Sequence, residues 1–200
     1  MVLKRDFYSR DSLIVAKELL GKILVHKSPE GLTSGYIVET EAYKGPEDKA
    51  SHAYAGKRTA RTETMFGPKG HAYIYLIYGM YHCLNATSGS VEGKPEATLI
   101  RALEPIEGLD LMLKRRGSTG KKETIASGPG RLCIAMGLTK KQNNIDLCNS
   151  SFYITEGKKI QPTKIMQVPR IGVDYAHEHK DLPWRFYLKE NPYVSIKLKN

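Results

Sequence analysis

The sequence predicts an α+β fold: a single mixed domain over residues 1–200, with a curved antiparallel β-sheet, short flanking helices and a protruding β-hairpin. Three observations predict it. Apolar and β-branched runs are joined by short, turn-rich connections, so hairpins dominate. The regular strand–helix–strand alternation of a parallel sheet is missing. A hydrophobic content of 40% over 200 residues suffices for one compact core.

Each element follows from its residues. "YSRDSLIVAKELLGK" reads as a short helix, with Ser9 as cap, Asp11 in the first turn and Gly21 as the stop. "KILVHKS", "PEG" and "LTSGYIVETEAY" read as strand, turn and strand. In the second strand the two-residue period puts Ile37, Glu39 and Glu41 on one face, and Tyr43 joins them if the chain stays extended. Residues 44–70 are loop-like, with "KGPED", the basic "GKRTAR" and the turn "GPKG". Ala72 to Ile77 and His82 to Thr87 are two strands around the tight connection Tyr78-Gly79-Met80-Tyr81, where glycine makes positive φ cheap. "ATLIRALEP" is a further strand, interrupted by Arg101 where the pattern asks for an apolar residue. "EPIEGLDLMLKRRG" reads as a helix with Pro105 in its first turn and Gly117 after it, and "SGPGRLCIAMG" as a second, entered through a Gly-Pro-Gly turn. "SFYITEGKKI", "IMQVPRIGV" and "WRFYLKENPYVSIKL" supply the remaining strand candidates. The stretch from Gly117 to Ser127 carries no assignable motif, and there is no internal repeat.

Composition narrows the function classes. No apolar run is long enough for a membrane span, and "MVLKRDFYSRDS" lacks the apolar segment of a signal peptide. Cys83, Cys133 and Cys148 form no Cys-x-x-Cys pair, so neither a disulfide framework nor a zinc site is expected. His177 with His179, and His82 with Cys83, bring metal-binding side chains close but complete no four-ligand set. The expectation is a reduced, cytoplasmic protein without metal or cofactor. The chain has 31 Lys+Arg against 21 Asp+Glu, a net charge of +10. Residues 1–100 hold 13 of the basic and 11 of the acidic side chains, and the remainder hold 18 and 10. Such an asymmetric excess suits a polyanionic partner, nucleic acid above all, although many basic proteins owe only solubility to it.

Two clusters carry the chemistry. In "IVETEAYKGPEDKASH" an apolar strand runs straight into Glu39 and Glu41, although carboxylates are poor strand formers and expensive to bury. They line a solvated edge, or one of them does chemistry. In "HAYIYLIYGMYHCLNATS", Tyr73, Tyr75, Tyr78 and Tyr81 fall within nine residues. Tyr73 reads as core, but an aromatic at a hairpin tip has little core to fill. A wedge that replaces an extruded base needs that placement. "SGPGR" ahead of a helix could hold a phosphate on its amides but is not a Walker loop. A carboxylate, several aromatics, an arginine inside a strand and a basic surface together describe a base-extruding hydrolase.

"IVETEAYKGPEDKASH", "MFGPKGHAYIYLIYGMYHCLN", "LIRALEP" and "SGPGRLC", in that order along nearly the whole chain, resemble the successive motifs of the alkyladenine (3-methyladenine) DNA glycosylase family. The resemblance implies metal-independent hydrolysis of the N-glycosidic bond of alkylated purines such as 3-methyladenine and 7-methylguanine, with hypoxanthine and ethenoadenine as further substrates. It also implies an abasic product without a lyase step. The partner would be double-stranded DNA containing a damaged purine, met by a monomer in the cytoplasm at the bacterial nucleoid. By motif position Glu41 matches the general base, and Arg101 the arginine that helps hold the attacking water. Tyr43, His52 and Tyr75 match residues enclosing the flipped base, and Asn85 the asparagine that screens purines by their exocyclic group. Tyr78 matches the intercalating tyrosine, with Met80 and Tyr81 beside it and Ile171 near the wedge. Lys57, Thr59 and Arg131 fall where phosphate contacts are expected. Glu39 is expected to be structural, paired to a basic side chain. No general acid for neutral purines is evident. Two rival readings remain: a non-catalytic nucleic-acid-binding module, which leaves the ordered Glu41, Arg101 and Asn85 unexplained, and a formyltransferase-like domain, for which no folate-binding signature is present.

Overall fold

The computed structural model describes residues 1–117 and 121–198. Residues 118–120, inside the stretch without an assignable motif, lie outside the described residues. The element order is α1 (Arg5–Tyr8), α2 (Ser12–Leu19), β1 (Ile23–Ser28), β2 (Gly31–Tyr43), α3 (Glu63–Phe66), β3 (Ala72–Ile77), β4 (Tyr81–Ser88), β5 (Glu96–Glu107), α4 (Leu109–Arg116), α5 (Pro129–Met136), β6 (Phe152–Thr155), β7 (Ile165–Val168) and β8 (Arg185–Leu188), with short 3-10 turns between. The strands form one curled antiparallel sheet of order β3-β4-β5-β2-β1-β6, and β8 pairs with both β2 and β7. The architecture is α+β, as the hairpin-rich sequence predicts.

Local chemistry sets the boundaries. The helix predicted over residues 8–22 is α2, confined to Ser12–Leu19, and its cap is Asp11, not Ser9: Asp11 accepts a hydrogen bond from Leu13 N at 2.8 Å. Ser9 closes the preceding turn, its hydroxyl donating to Arg5 O. Both residues are good caps, and the one directly before the amphipathic run won. Pro105 lies in β5 opposite Gly35 rather than in a helix, at a point where β4 no longer pairs with β5 and a missing N–H is tolerated. The helix starts four residues later, at Leu109, after Gly108 turns the chain at φ +76°. The last strand candidate is extended only over Arg185–Leu188.

The central strand β2 explains how glutamates enter a sheet. It pairs with β1 up to Tyr36 and with β8 over Glu39–Glu41. At that change of partner the register against β5 breaks: Ile37 pairs with Leu103, Glu39 with Ala102 and Thr40 with Ile100. Val38 is therefore an extra residue in β2 and Arg101 an extra residue in β5. Each β-bulge inverts the alternation of its strand. Ile37, Ile100 and Leu103 pack in the main core, whereas Val38 and Ala102 join a second cluster with Val168, Tyr187 and Val194. The expected common face for Ile37, Glu39 and Glu41 is thus corrected. The bulge at Val38 separates Ile37 from the glutamates, which a strict two-residue period would have driven into apolar surroundings.

The main core lies between the sheet and the helices α2, α4 and α5. Leu132, Cys133, Ala135 and Met136 of α5 pack against Ile74, Leu84 and Ala86 of the β3–β4 hairpin. Burial of each large apolar side chain contributes roughly 1.5–3 kcal/mol. At the start of α5, Gly130 lets the helix approach the hairpin closely: a Cβ there would sit 3.0 Å from Tyr81 Cβ. The hairpin is thereby propped from behind, near its tip.

Candidate active site

The carboxylates meet two arginines at the paired bulges. Glu39 is fully buried and accepts from Arg101 Nε at 3.0 Å, Arg185 Nη1 at 2.9 Å and Ser195 N at 2.7 Å. Glu41 is also fully buried; its Oε1 accepts from Ile171 N at 2.9 Å and lies 3.2 Å from Arg101 Nη1, while its Oε2 accepts from Tyr43 Oη at 2.8 Å. Burial opposes the charge on Arg101, but Glu41 and Glu39 outweigh it and hold the guanidinium above its ordinary pKa. Burial and the neighbouring Glu41 push the Tyr43 phenol well up, so it remains a hydrogen-bond donor.

In front of this group opens a cavity of about 440 Å³, within the usual range for a small-molecule site. Tyr43, Arg101, Ile171 and Tyr175 line it together with His52, Arg61, Tyr73, Tyr75, Cys83 and Asn85. Glu41 does not line it directly, but two of the side chains bonded to it, Tyr43 and Arg101, do. His52 lies edge-on to Tyr75, with ring centroids 4.6 Å apart, and its Nδ1 is 2.9 Å from Tyr73 Oη. Burial, with Arg61 beside it, lowers the His52 pKa from 6.5 to about 4. Asn85 sits buried on β4 and donates from Nδ2 to Tyr73 O at 3.2 Å. Cys83 is a buried thiol, pushed up by burial and so held protonated.

The hairpin tip overhangs the cavity. Met80 N donates to Ile77 O, and both residues between them have positive φ: Tyr78 at +53° and Gly79 at +68°. That is the type I′ requirement, cheap for glycine and strained for tyrosine. Tyr78 is 78% exposed yet lines the cavity mouth, and Met80 and Tyr81 are exposed beside it. Lys57 and Thr59 lie in a shallow depression next to His52 and Arg61, and Arg131 is exposed in the first turn of α5. The Thr59 hydroxyl lies 3.2 Å from that of Thr62.

The structure therefore gathers Glu41, Arg101, Tyr43, His52, Tyr75, Asn85, Tyr78 and Ile171 around one cavity, with Met80 and Tyr81 at its rim and Lys57, Thr59 and Arg131 outside it. Three residues at the site escaped sequence reasoning. In the sequence Arg61 is only one cation of the basic loop "GKRTAR". Arg170 forms a fully buried pair with Asp48, at 2.5 and 2.8 Å, and stacks over Tyr43 at 4.8 Å. Tyr175 donates to Ala50 O. The one available signal for them is the arginine in the short apolar context "VPRIGV", which is Arg170. Among the described residues no group of three or more His, Cys, Asp or Glu is arranged to hold a metal, and no helix is long and apolar enough to cross a membrane.

Comparison with known proteins gives this geometry its relatives. The model of the methylpurine-DNA glycosylase family matches residues 6–192. A protein of Clostridium acetobutylicum is 49% identical over the full length of both chains. One of Methanocella arvoryzae is 53% identical over 97% of this chain and 96% of its own. One of Desulfitobacterium hafniense is 48% identical over 98% of each. All three carry a provisional designation as 3-methyladenine DNA glycosylase.

Proposed function

The chain belongs to the methylpurine-DNA glycosylase family, and from that premise we propose that it excises alkylated purines from duplex DNA by one hydrolytic step at the cavity before Glu41. The bond from the purine nitrogen to the sugar carbon C1′ breaks with positive charge developing on the sugar. Water adds at C1′, and its proton passes to Glu41. The products are the free base and an abasic site. The single observation that carries this reading is the Glu41 carboxylate, held behind the wall of an aromatic cavity by Arg101, Tyr43 and the Ile171 N–H.

A carboxylate has about four acceptor positions. Three partners occupy Glu41, only one of them on Oε2, so Oε2 retains the position from which a water proton can be taken. Glu41 has no exposed surface, and Arg101, which lines the cavity beside it, helps hold the attacking water. As a carboxylate, Glu41 serves both as base and as counter-charge to the sugar cation.

The remaining residues capture the nucleotide. Tyr43, His52 and Tyr75 enclose the base, and Asn85 meets its edge. Tyr78, with Met80 and Tyr81, fills the gap in the stack from the minor groove, beside Ile171. Lys57, Thr59 and Arg131 contact phosphates. The substrate class is 3-methyladenine and 7-methylguanine, with hypoxanthine and ethenoadenine as further members. Among the described residues no lysine lines the cavity, which supports hydrolysis without the amine-dependent lyase step. The test is a duplex carrying one damaged purine. Alkali-labile abasic sites with no strand break before alkali are expected. Intact DNA would refute catalysis, and breaks before alkali would refute the monofunctional step.

A further inference from the structure

We infer that Arg61 is a specificity residue: it fixes His52 as a neutral donor and places one uncompensated positive charge on the cavity wall, biasing the pocket against cationic purines in favour of neutral ones. The inference rests on the proposed excision reaction for its substrates, but its structural half stands apart from it.

The charges around the cavity can be followed one by one. Arg101 and Arg185 face Glu39 and Glu41, two cations against two carboxylates. Arg170 is closed onto Asp48. Burial raises the pKa of Tyr43, Tyr73, Tyr75 and Cys83, which stay neutral. Arg61 alone among the cavity-lining cations has no carboxylate salt bridge among the described residues. Its guanidinium carbon sits 4.8 Å from the centroid of the Tyr75 ring, and its Nη2 is 3.2 Å from His52 Nε2. A cation is stabilised over an aromatic face, and the ring it occupies is one that a base would pack against.

The contact also settles the histidine. Guanidinium donates and never accepts, so His52 Nε2 must accept and the proton of the neutral ring sits on Nδ1. Nδ1–H then donates to Tyr73 Oη at 2.9 Å. The other titratable groups facing His52 across the shallow outer depression are Lys49, Tyr54 and Lys57; Lys49 is paired to Glu178. None supplies a negative charge to favour an imidazolium. N3- and N7-alkylated purines carry a formal positive charge, whereas deaminated and etheno-bridged purines are neutral. A fixed cation at the wall repels the first group and leaves the second unaffected to first order.

The test compares single-turnover excision of 7-methylguanine and hypoxanthine by the parent, Arg61→Gln and Arg61→Lys. Arg61 is solvent-exposed, so its charge is partly screened, and Arg61→Gln should raise the 7-methylguanine to hypoxanthine rate ratio by about two- to fivefold. Arg61→Lys, which keeps the charge, should leave that ratio near the parent's. An unchanged ratio in Arg61→Gln, or an equal rise in both variants, overturns the inference. Titration of His52 by NMR in the free proteins provides the second readout. The parent should show neutral His52 protonated on Nδ1, and its titration midpoint should move up in Arg61→Gln. A midpoint that stays in place overturns the inference even if the parent excises neither lesion, in which case the proposed reaction fails separately.

Discussion

Ile171 donates its backbone N–H to Glu41 Oε1 at 2.9 Å, joining a loop near the C-terminus to a carboxylate 130 residues earlier in the chain. The neighbouring residue makes that donor rigid. Arg170 is clamped to both oxygens of Asp48 and donates to Ala42 O, so the loop is anchored to β2 one residue past Glu41.

Arg170→Gln should therefore act in two ways. It leaves Asp48 buried without its charge partner, which costs on the order of 3–5 kcal/mol of stability. It also frees the loop that carries the Ile171 amide, so excision should fall even at temperatures where the variant is folded. Chemical denaturation and single-turnover excision measure the two effects. Full stability with full activity would show that the clamp is incidental.

The hairpin tip predicts a separation of stability from function. Tyr78 holds φ at +53° with its side chain 78% exposed, so it gives up backbone energy without filling a core. Tyr78→Gly should raise folding stability by up to about 1 kcal/mol through relief of left-handed strain. The same change should impair extrusion, because nothing then offsets the unstacking cost of a few kcal/mol. Thermal unfolding and a fluorescent-base flipping assay should move in opposite directions. Unimpaired flipping would remove Tyr78 from the wedge role.

Asn85 is held by one amide hydrogen bond to Tyr73 O on the cavity wall. Asn85→Ser shortens the side chain there and should relax the exclusion of guanine-type bases more than it changes adenine-type excision. Rates on hypoxanthine and on unmodified guanine give the comparison. Equal changes for both would leave Asn85 as a packing residue.

His52 gives a pH signature. Its pKa falls from 6.5 to about 4 through burial, with Arg61 adding to the shift. Between those values the unfolded chain takes up a proton that the folded chain refuses, so stability is full above pH 6.5 and declines as pH falls toward about 4. His52→Gln should flatten that segment of the stability curve, measured as denaturation midpoints across the window. An unchanged slope would mean that other groups set it.

Much of this fold is legible because its signals are local. Both hairpins, the Gly-Pro-Gly entry to α5 and strands β6 to β8 follow from turn residues and short apolar runs. The tyrosine-bearing turn is readable because its composition is wrong for an ordinary turn. The bulges at Val38 and Arg101 are not readable, because each arises where strands distant in sequence pair out of step. The same holds for Arg170 with Asp48 and Arg61 with His52, whose pairing depends on how loops are folded back onto the sheet. The glutamates mark the site in the sequence: only the paired bulges and two arginines make their burial tolerable, and a strict two-residue period places Ile37 on their face.

Glu41, and not Glu39, is the carboxylate proposed to take the water proton. Glu39 has as many partners as Glu41, but Arg185 and Ser195 do not line the cavity whereas Tyr43, Arg101 and Ile171 all do, so Glu39→Gln should lower stability and reduce excision far less than the equivalent change at Glu41. Glu41→Gln preserves size and removes the basic oxygen. Single-turnover excision of one damaged purine from duplex DNA by these two variants is the decisive measurement. Glu41→Gln should still bind the lesion duplex while excision falls by roughly 10²–10⁴-fold, the span expected for a general base. A fully active Glu41→Gln enzyme would contradict the account, and an inactive but folded Glu39→Gln beside it would identify the other carboxylate as the base.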